Sequence, residues 1–258
     1  MQNNTFSTLF VGQNLIKLSA VDSTNNFLKN LVSNSEPLAE GTVIMAEDQY
    51  AGRGQQENIW HAEPGKNLTF SVLLRPTFLP LNKQFLLNMV VSIAINKVLS
   101  RYVAASISIK WPNDIYYKDK KLGGILIENT LMGSAIKTAV IGIGLNVNQQ
   151  LFADELKQKA TSIAQILQED VNLDGLLSEI CAELESQYLQ LRAGHDTVLK
   201  QNYVDKLYKL NQLASYRQNG EVFEGTIKGV NDLGLLCLER EGQMAEYNFK
   251  EIEFLTYI

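Results

Sequence analysis

The spacing of apolar and polar residues switches between strand and helix periods along most of the 258-residue chain. Strand-like apolar runs or two-residue alternation occur at residues 15–19, 42–47, 67–75, 106–111, 115–118, 122–129 and 135–146. Helical spacing occurs at residues 23–32, 85–102, 154–167, 173–191 and 198–208. The pattern predicts an α+β protein whose sheet is centred on the strands between residues 106 and 146.

The character of the chain changes near residue 212. Beyond it, strand-like pieces at residues 221–230, 235–239 and 246–249 are separated by glycines, which is typical of a small antiparallel β-barrel. We therefore expect a large domain over residues 1–212 and a β-barrel domain over residues 213–258.

Charge and composition exclude several classes of function. The net charge of −5 argues against broad nucleic-acid binding. A polar start and the lack of an eighteen-residue apolar run predict no signal peptide and no membrane span, hence a cytoplasmic protein. Two histidines, His61 and His195, are too few for a histidine-rich metal site or triad. Cys181 and Cys237 are interpreted as reduced structural thiols.

A long polar connection, residues 48–66, separates two predicted strands and is typical of a functional loop. Its segment Gly52-Arg53-Gly54-Gln55 could turn backbone amides toward an anion, although Gly-x-Gly is more often a plain turn. Trp60 could stack on a purine ring or could equally be a core tryptophan.

Further polar groups stand where strands end. Lys110-Trp111-Pro112-Asn113-Asp114 closes one strand and could be a hairpin turn. Lys121 would usually be a solvated surface lysine, but Gly123-Gly124 after it permits close approach of a ligand or backbone. Ser23-Thr24-Asn25 could be a helix N-cap, and Gly142 to Asn146 could be a β-bulge or close strand packing.

The order and spacing of these pieces closely resemble the biotin–protein ligase family. The shared elements are Asp22-Ser23-Thr24-Asn25, Gln49, Gly52-Arg53-Gly54, Trp60, Lys110-Trp111-Pro112-Asn113-Asp114, Lys121-Leu122-Gly123-Gly124-Ile125-Leu126 and Gly142 to Asn146. The resemblance implies a mixed or antiparallel sheet flanked by helices, the class II synthetase-like fold of biotin and lipoate ligase catalytic domains, with a small C-terminal β-barrel. Because the match begins near residue 16, we expect a ligase without the DNA-binding domain that some members carry ahead of it.

The resemblance also implies residue roles. Biotin would contact Ser23, Thr24, Asn25, Gln49, Arg53, Gly54, Gln55, Lys121 and Gly124. The nucleotide would contact Arg53, Trp60, Lys110, Asn113, Asp114, Lys121 and Asn146, with Trp60 and Asn146 beside the adenine. Lys121 and Arg53 are the expected catalytic cations, and Asp114 is the expected magnesium ligand.

The implied enzyme is an ATP- and Mg²⁺-dependent ligase. It would form biotinyl-5′-AMP and pyrophosphate, then transfer biotin to a lysine of the biotin carboxyl carrier protein of a biotin-dependent carboxylase. Two anions meet in the first step, and one cation about 4 Å away offsets about 4 kcal/mol at the dielectric of a partly buried site. General acid or base work is minor, in keeping with the shortage of histidine.

One departure from the family lies in the loop, where Gln55 and Gln56, followed by Glu57, stand in place of the arginines of more basic members. We hypothesise that this chain retains biotinyl-AMP less tightly.

Three rival functions are a lipoate or octanoyl ligase, a DNA-binding biotin repressor and a non-catalytic biotin-binding protein. Ser23-Thr24-Asn25 with Gln49 is too polar for the first, and charge argues against the second. A sheet edge could pair with a carrier or with a second copy in a homodimer, and no residue decides between them.

Overall fold

A seven-stranded mixed sheet forms the centre of the computed structural model, which describes residues 6–34, 38–55, 58–103 and 107–255. Its strands are β1 (Leu15–Val21), β2 (Val43–Gln49), β3 (Leu68–Leu74), β4 (Ile107–Lys110), β5 (Asp114–Tyr117), β6 (Lys120–Met132) and β7 (Ala135–Leu145). They are ordered β1-β2-β3-β7-β6-β5-β4. The β1–β2 pair is parallel and the other pairs are antiparallel, so the predicted mixed sheet is confirmed.

The helices are α1 (Thr24–Asn34), α2 (Phe85–Tyr102), α3 (Ile163–Leu167), α4 (Leu173–Arg192) and α5 (Asp196–Val204), with a 3₁₀ turn at Leu81–Lys83. The predictions for α1, α2 and α4 are confirmed to within a few residues. None of the helices in the described ranges is long and apolar enough to cross a membrane.

Both faces of the sheet are covered, because alternate side chains of the central strands point to opposite sides. On β3, Val72 and Leu74 enter the large core that contains α2 and α4, whereas Leu73 packs with Leu28 of α1 in a second, smaller core. All seven residues of β3 are buried. Helix α1 thus covers part of the face where the candidate polar residues gather.

A second sheet follows from Leu213. Its strands are β8 (Leu213–Gln218), β9 (Glu221–Val230), β10 (Leu236–Arg240), β11 (Gln243–Tyr247) and β12 (Glu253–Phe254), in the order β11-β10-β9-β8-β12. It is antiparallel, as predicted for the small β-barrel, and in the described residues it is an open five-stranded sheet with no closing pair. Strand β12 has two residues, too few to close the sheet along five-residue β11.

The predicted helix over residues 154–167 is wrong for its first half. Its backbone pairs with β6 instead: Lys121 N donates to Lys159 O at 2.8 Å, and Thr161 N donates to Lys121 O at 3.0 Å. Helix α3 begins only after Ser162, whose hydroxyl accepts from Gln165 N. The predicted helix 198–208 is also shorter than expected, since α5 ends at Val204. Tyr208 N instead donates to Ile109 O of β4.

Trp111 joins the two sheets. Its indole ring is buried, and Nε1 donates to the carbonyl of Gly234, in the turn before β10, at 2.9 Å. The ring also meets Phe249 edge-on. The tryptophan of the Lys110 to Asp114 segment therefore has a structural role, although it also contributes to the cavity that its neighbours line.

We expect Trp111→Phe to lower the free energy of unfolding by about 1 kcal/mol, because the Gly234 carbonyl loses its donor while most of the packing is kept. Urea denaturation followed by circular dichroism measures this. Trp60→Phe is the matched control, since Trp60 Nε1 has no hydrogen-bond partner among the described residues. Equal destabilisation by both substitutions would contradict the assignment.

Candidate functional site

A cavity of about 940 Å³ opens between the sheet, α1, the loop after β2 and the C-terminal sheet. Thirteen of the fourteen residues expected to bind substrate line it: Ser23, Thr24, Asn25, Gln49, Arg53, Gly54, Gln55, Trp60, Lys110, Asn113, Asp114, Lys121 and Gly124. Residues as far apart in sequence as Ser23 and Gly124 are thus gathered in one place.

The floor of the cavity is a strip of strand without side chains. Gly124 of β6 is paired directly with Gly144 of β7, and Gly142 is paired with Ser71 of β3. A Cβ on Gly142 would lie 2.5 Å from Asn25 Oδ1, and one on Gly144 would lie 2.5 Å from the Trp60 ring. Only glycine allows the polar helix start and the indole to approach the sheet this closely.

The end of the cavity beside α1 is a connected polar cluster. Gln49 Oε1 accepts from Thr24 N at 2.9 Å and from Thr24 Oγ1 at 3.2 Å. Ser71 Oγ, which is fully buried, donates to Asn25 Oδ1 at 2.6 Å and lies 2.7 Å from Thr24 Oγ1. These bonds fix the orientation of several side chains before any ligand arrives.

Glu128 of β6 borders this cluster and holds three donors. Its carboxylate accepts from Asn25 Nδ2 at 2.8 Å, Lys29 Nζ at 2.7 Å and Arg53 Nη2 at 2.8 Å. Burial raises the pKa of the Glu128 carboxyl, but the bonds from Lys29, Asn25 and Arg53 outweigh it, so the pKa is lowered. The carboxylate is therefore ionised at neutral pH.

The loop after β2 folds back as a small hairpin over the cavity. Trp60 N donates to Gly52 O at 2.9 Å and Gly54 N donates to Asn58 O at 2.7 Å, with Arg53 paired opposite Ile59. Gln56 and Glu57, two of the residues in which the chain departs from the family, lie outside the described residues. Gln55 is described and lines the cavity.

Lys121 projects from β6 into the cavity, where its ammonium lies 2.7 Å from Asp114 Oδ1. The interpretation of Lys121 as a solvated tip residue is thereby excluded. Lys110 lies between the rings of Tyr116 and Phe254, and burial lowers its pKa against the opposing charge of Asp114. Both lysines face the same cavity.

The C-terminal sheet closes one side of the cavity. Its lining residues are Arg217, Phe249, Lys250, Ile252, Glu253, Phe254 and Leu255. Among the described residues of the lining, seven are Lys or Arg and three are Asp or Glu. An acidic protein thus concentrates positive charge in its cavity, which suits an anionic ligand.

Asn146 is the one expected site residue that is not among those lining the cavity in the described part of the chain. It is buried next to the cavity floor, and its Nδ2 donates to Thr161 O at 3.1 Å, while its backbone binds Leu122 and Ile163. The amide thus anchors the segment that pairs with β6.

Sequence reasoning did not identify Glu128, Ser71 or the C-terminal residues. For Glu128 a signal existed, since Gly124, Leu126 and Glu128 alternate on one face of β6. For Arg217 and Lys250 no local signal existed, because their place in the cavity depends on how the second sheet docks.

Both cysteines, Cys181 and Cys237, interpreted as reduced structural thiols, lack a disulfide. Cys181 is fully buried on α4, and burial raises the pKa of its thiol to about 12. Within the described ranges no group of three or more His, Cys, Asp or Glu could hold a metal ion.

Comparison with known proteins gives a consistent result. Residues 18–146 match the model of the biotin/lipoate A/B protein ligase family. The bifunctional ligase/repressor BirA of Bacillus spizizenii is 32% identical over 248 residues, covering 95% of this chain and 75% of that protein. The biotin–[acetyl-CoA-carboxylase] ligase of Mycobacterium tuberculosis is 27% identical, covering 88% of this chain and 85% of that one.

Among solved structures, the biotin protein ligase of Aquifex aeolicus in complex with biotin and ATP superimposes with a TM-score of 0.80. The two are 26% identical, and the match covers 95% of this chain and all of the other. The similarity therefore includes the C-terminal sheet as well as the larger one.

We expect Lys29→Met and Arg53→Met each to raise the pKa of Glu128, because each removes a hydrogen bond that favours the ionised form. Since that pKa is lowered by folding, the stability it contributes is present at neutral pH and is lost as pH falls through the folded-state value. Carbon-13 NMR titration of the carboxyl measures the shift. Lys17→Met, which breaks an ion pair with Asp174 outside the cavity, should leave it unchanged.

Proposed function

Because this chain belongs to the biotin/lipoate A/B protein ligase family, we propose that it uses ATP to activate biotin and attaches it to a lysine of a carboxylase carrier protein. One observation carries the proposal: a cavity that has a polar cluster at one end and concentrated cations at the other. A neutral urea ring and two anions are the chemistry that such a cavity accommodates.

The ring of biotin binds beside α1. A urea offers two N–H donors and one carbonyl acceptor, and each needs a partner once it is buried. Asn25 Oδ1 and Thr24 Oγ1 are acceptors there, and Ser23 Oγ and Gln49 Nε2 supply donors. The preformed bonds to Ser71 and Glu128 support this assignment, because they leave Asn25 Oδ1 directed at the floor of the cavity.

Lys121 and Arg53 counter the charge that builds in the first step. A carboxylate oxygen of biotin attacks the α-phosphorus of ATP, a new O–P bond forms, and the bond to the leaving pyrophosphate breaks. Two cations facing the meeting anions lower the repulsion in a site partly screened from water. Gly54 and Gln55 in the loop, and Gly124 in the floor, line the same cavity.

The nucleotide occupies the side bounded by Trp60 and the C-terminal sheet. Trp60 provides a flat surface for adenine, and Lys110 faces the phosphates, while Asn113 and Asp114 complete the wall. Mg²⁺ would neutralise phosphate charge when bound, taking Asp114 as its protein ligand and phosphate oxygens for the rest. Asn146, held by Thr161, would act on this side by shaping the floor.

The second step requires little of the enzyme beyond protection. The amine of the carrier lysine attacks the carbonyl carbon of biotinyl-AMP, the amide forms, AMP leaves and the amine loses its proton. The loop hairpin shields the mixed anhydride from water.

The carboxylase carrier is the natural acceptor by analogy with the relatives. A cytoplasmic location, the absence of nucleic-acid binding and the two-domain division at residue 212 remain our predictions.

We expect Lys121→Ala to lower the rate of biotinyl-AMP formation at least about 100-fold, because a cation aimed at the reacting phosphate is removed. Pyrophosphate release in the presence of biotin, ATP and Mg²⁺ measures the first step, and biotinylation of a carrier domain measures the whole reaction. Lys137→Ala, which removes an exposed lysine of β7, is the control. A wild-type protein that binds biotin but releases no pyrophosphate would instead be a binding protein.

Lipoate and octanoate serve as competing substrates in the same assay. Their chains lack the urea that the cluster of Ser23, Thr24, Asn25 and Gln49 would satisfy, so the buried polar groups would stay unpaired. Preference for either acid over biotin would assign the chain to the other branch of the family.

We expect Gln55→Arg to slow the release of biotinyl-AMP about two- to fivefold, the effect of one partly exposed ion pair with the phosphate. Release is measured by trapping free biotinyl-AMP after a single turnover without carrier. Gln212→Arg adds the same charge at an exposed position outside the cavity and should have no effect. Equal release rates would show that residue 55 does not tune retention.

A further inference from the structure

Glu128 connects three parts of the molecule that the proposed reaction uses. Its carboxylate lies on β6, two residues beyond Leu126 on the strand face that forms the cavity floor. Asn25 and Lys29 reach it from α1, and Arg53 reaches it from the loop. One side chain thus binds the sheet, the ring-binding helix and the covering loop together.

The arrangement is specific. Asn25 and Lys29 are four residues apart and therefore lie on the same face of α1. Lys29 Nζ donates a hydrogen bond to Glu128 Oε1, and Asn25 Nδ2 and Arg53 Nη2 both donate to Glu128 Oε2. The Glu128 side chain is only 24% exposed, so these bonds are less screened than an ordinary surface ion pair.

For Asn25 the consequence is a fixed amide. Its Nδ2 group donates to Glu128 and to the carbonyl of Leu126, so its Oδ1 must face Ser71 and the surface of Gly142. If the carboxylate were lost, the amide could turn over and offer a donor where the urea also offers one. The Asn25 amide group would then present an N–H to an N–H of the biotin urea, which would weaken biotin binding.

For the loop the consequence is an anchor. Arg53 stands opposite Ile59 in the hairpin, and its bond to Glu128 ties this hairpin to the sheet. The guanidinium has five donors, so it binds a substrate anion while one donor remains on Glu128. The charge of Lys29 keeps the group of two cations and one carboxylate positive overall.

We propose that Glu128 is a positioning residue that preorganises both ends of biotin binding: it orients the Asn25 amide toward the urea and anchors the Arg53 loop over the activated intermediate. This inference rests on the proposed function, because it assigns Glu128 a part in the same reaction.

The test compares Glu128→Gln with wild type in steady-state biotinylation and in single-turnover release of biotinyl-AMP. We expect the biotin KM to rise about tenfold, with a smaller change in kcat, and the release of biotinyl-AMP to become about tenfold faster. These are the effects of losing one charge-assisted hydrogen bond to Asn25 and one to Arg53. Glu179→Gln is the matched control, since Glu179 also binds an arginine but lies between α2 and α4. Its kinetics should match wild type within about twofold.

Double variants separate positioning from a general loss of structure. With Arg53→Met present, Glu128→Gln should no longer accelerate release. With Asn25→Ala present, it should no longer raise the biotin KM. Such non-additivity is the signature of direct coupling, whereas additive effects in both backgrounds would overturn the proposal.

Thermal unfolding of each variant accompanies the kinetics. If Glu128→Gln does not fold, Glu128→Asp carries the test, because it keeps the charge but withdraws it by one methylene, and the same two changes are expected. A wild-type protein that biotinylates the carrier, together with unchanged KM and release in the variant, overturns the role of Glu128 alone. A wild-type protein that forms no biotinyl-AMP overturns the proposed function itself.

Discussion

The site depends on the absence of side chains at the centre of the sheet. Gly124 on β6 is paired with Gly144 on β7, and Gly142 lies beside Ser71 on β3. Any larger residue there would fill the space into which Asn25 and Trp60 project. Because a strand interior weakened by glycine needs compensation, the fully buried strand β3 and two separate hydrophobic cores support it from both faces.

The charge of the residues around this glycine floor is opposite in sign to the net charge of the protein. The chain carries a net charge of −5, yet Lys and Arg outnumber Asp and Glu in the cavity lining. The two carboxylates closest to the proposed chemistry are each paired with cations, Asp114 with Lys121 and Glu128 with Arg53 and Lys29. Each carboxylate therefore positions a cation without cancelling the local excess of positive charge.

The spacing of apolar residues correctly predicted the helices and strands whose formation depends on burying one face or both faces of the element. Helix α2 and strand β3 agree with prediction because burial requires apolar residues at the period of each element. Prediction failed where backbone groups found distant partners: Lys159 and Thr161 pair with Lys121 of β6, so no helix forms there, and Tyr208 pairs with Ile109 of β4. Strand β8 begins with an exposed leucine and its sequence does not alternate between apolar and polar residues, so no periodicity predicted it.

The sequence by itself determined the fold class, most strands of the larger sheet and the motifs that hold Ser23, Lys121 and their neighbours, because those depend on residue type and short spacing. The tertiary structure alone decided that Glu128 would bind three donors and that Arg217 would line the cavity. It also decided that Asn146 would anchor a neighbouring segment. Such roles arise from contacts between residues far apart in the chain, whose geometry is fixed only when strands take their register and the two sheets pack together.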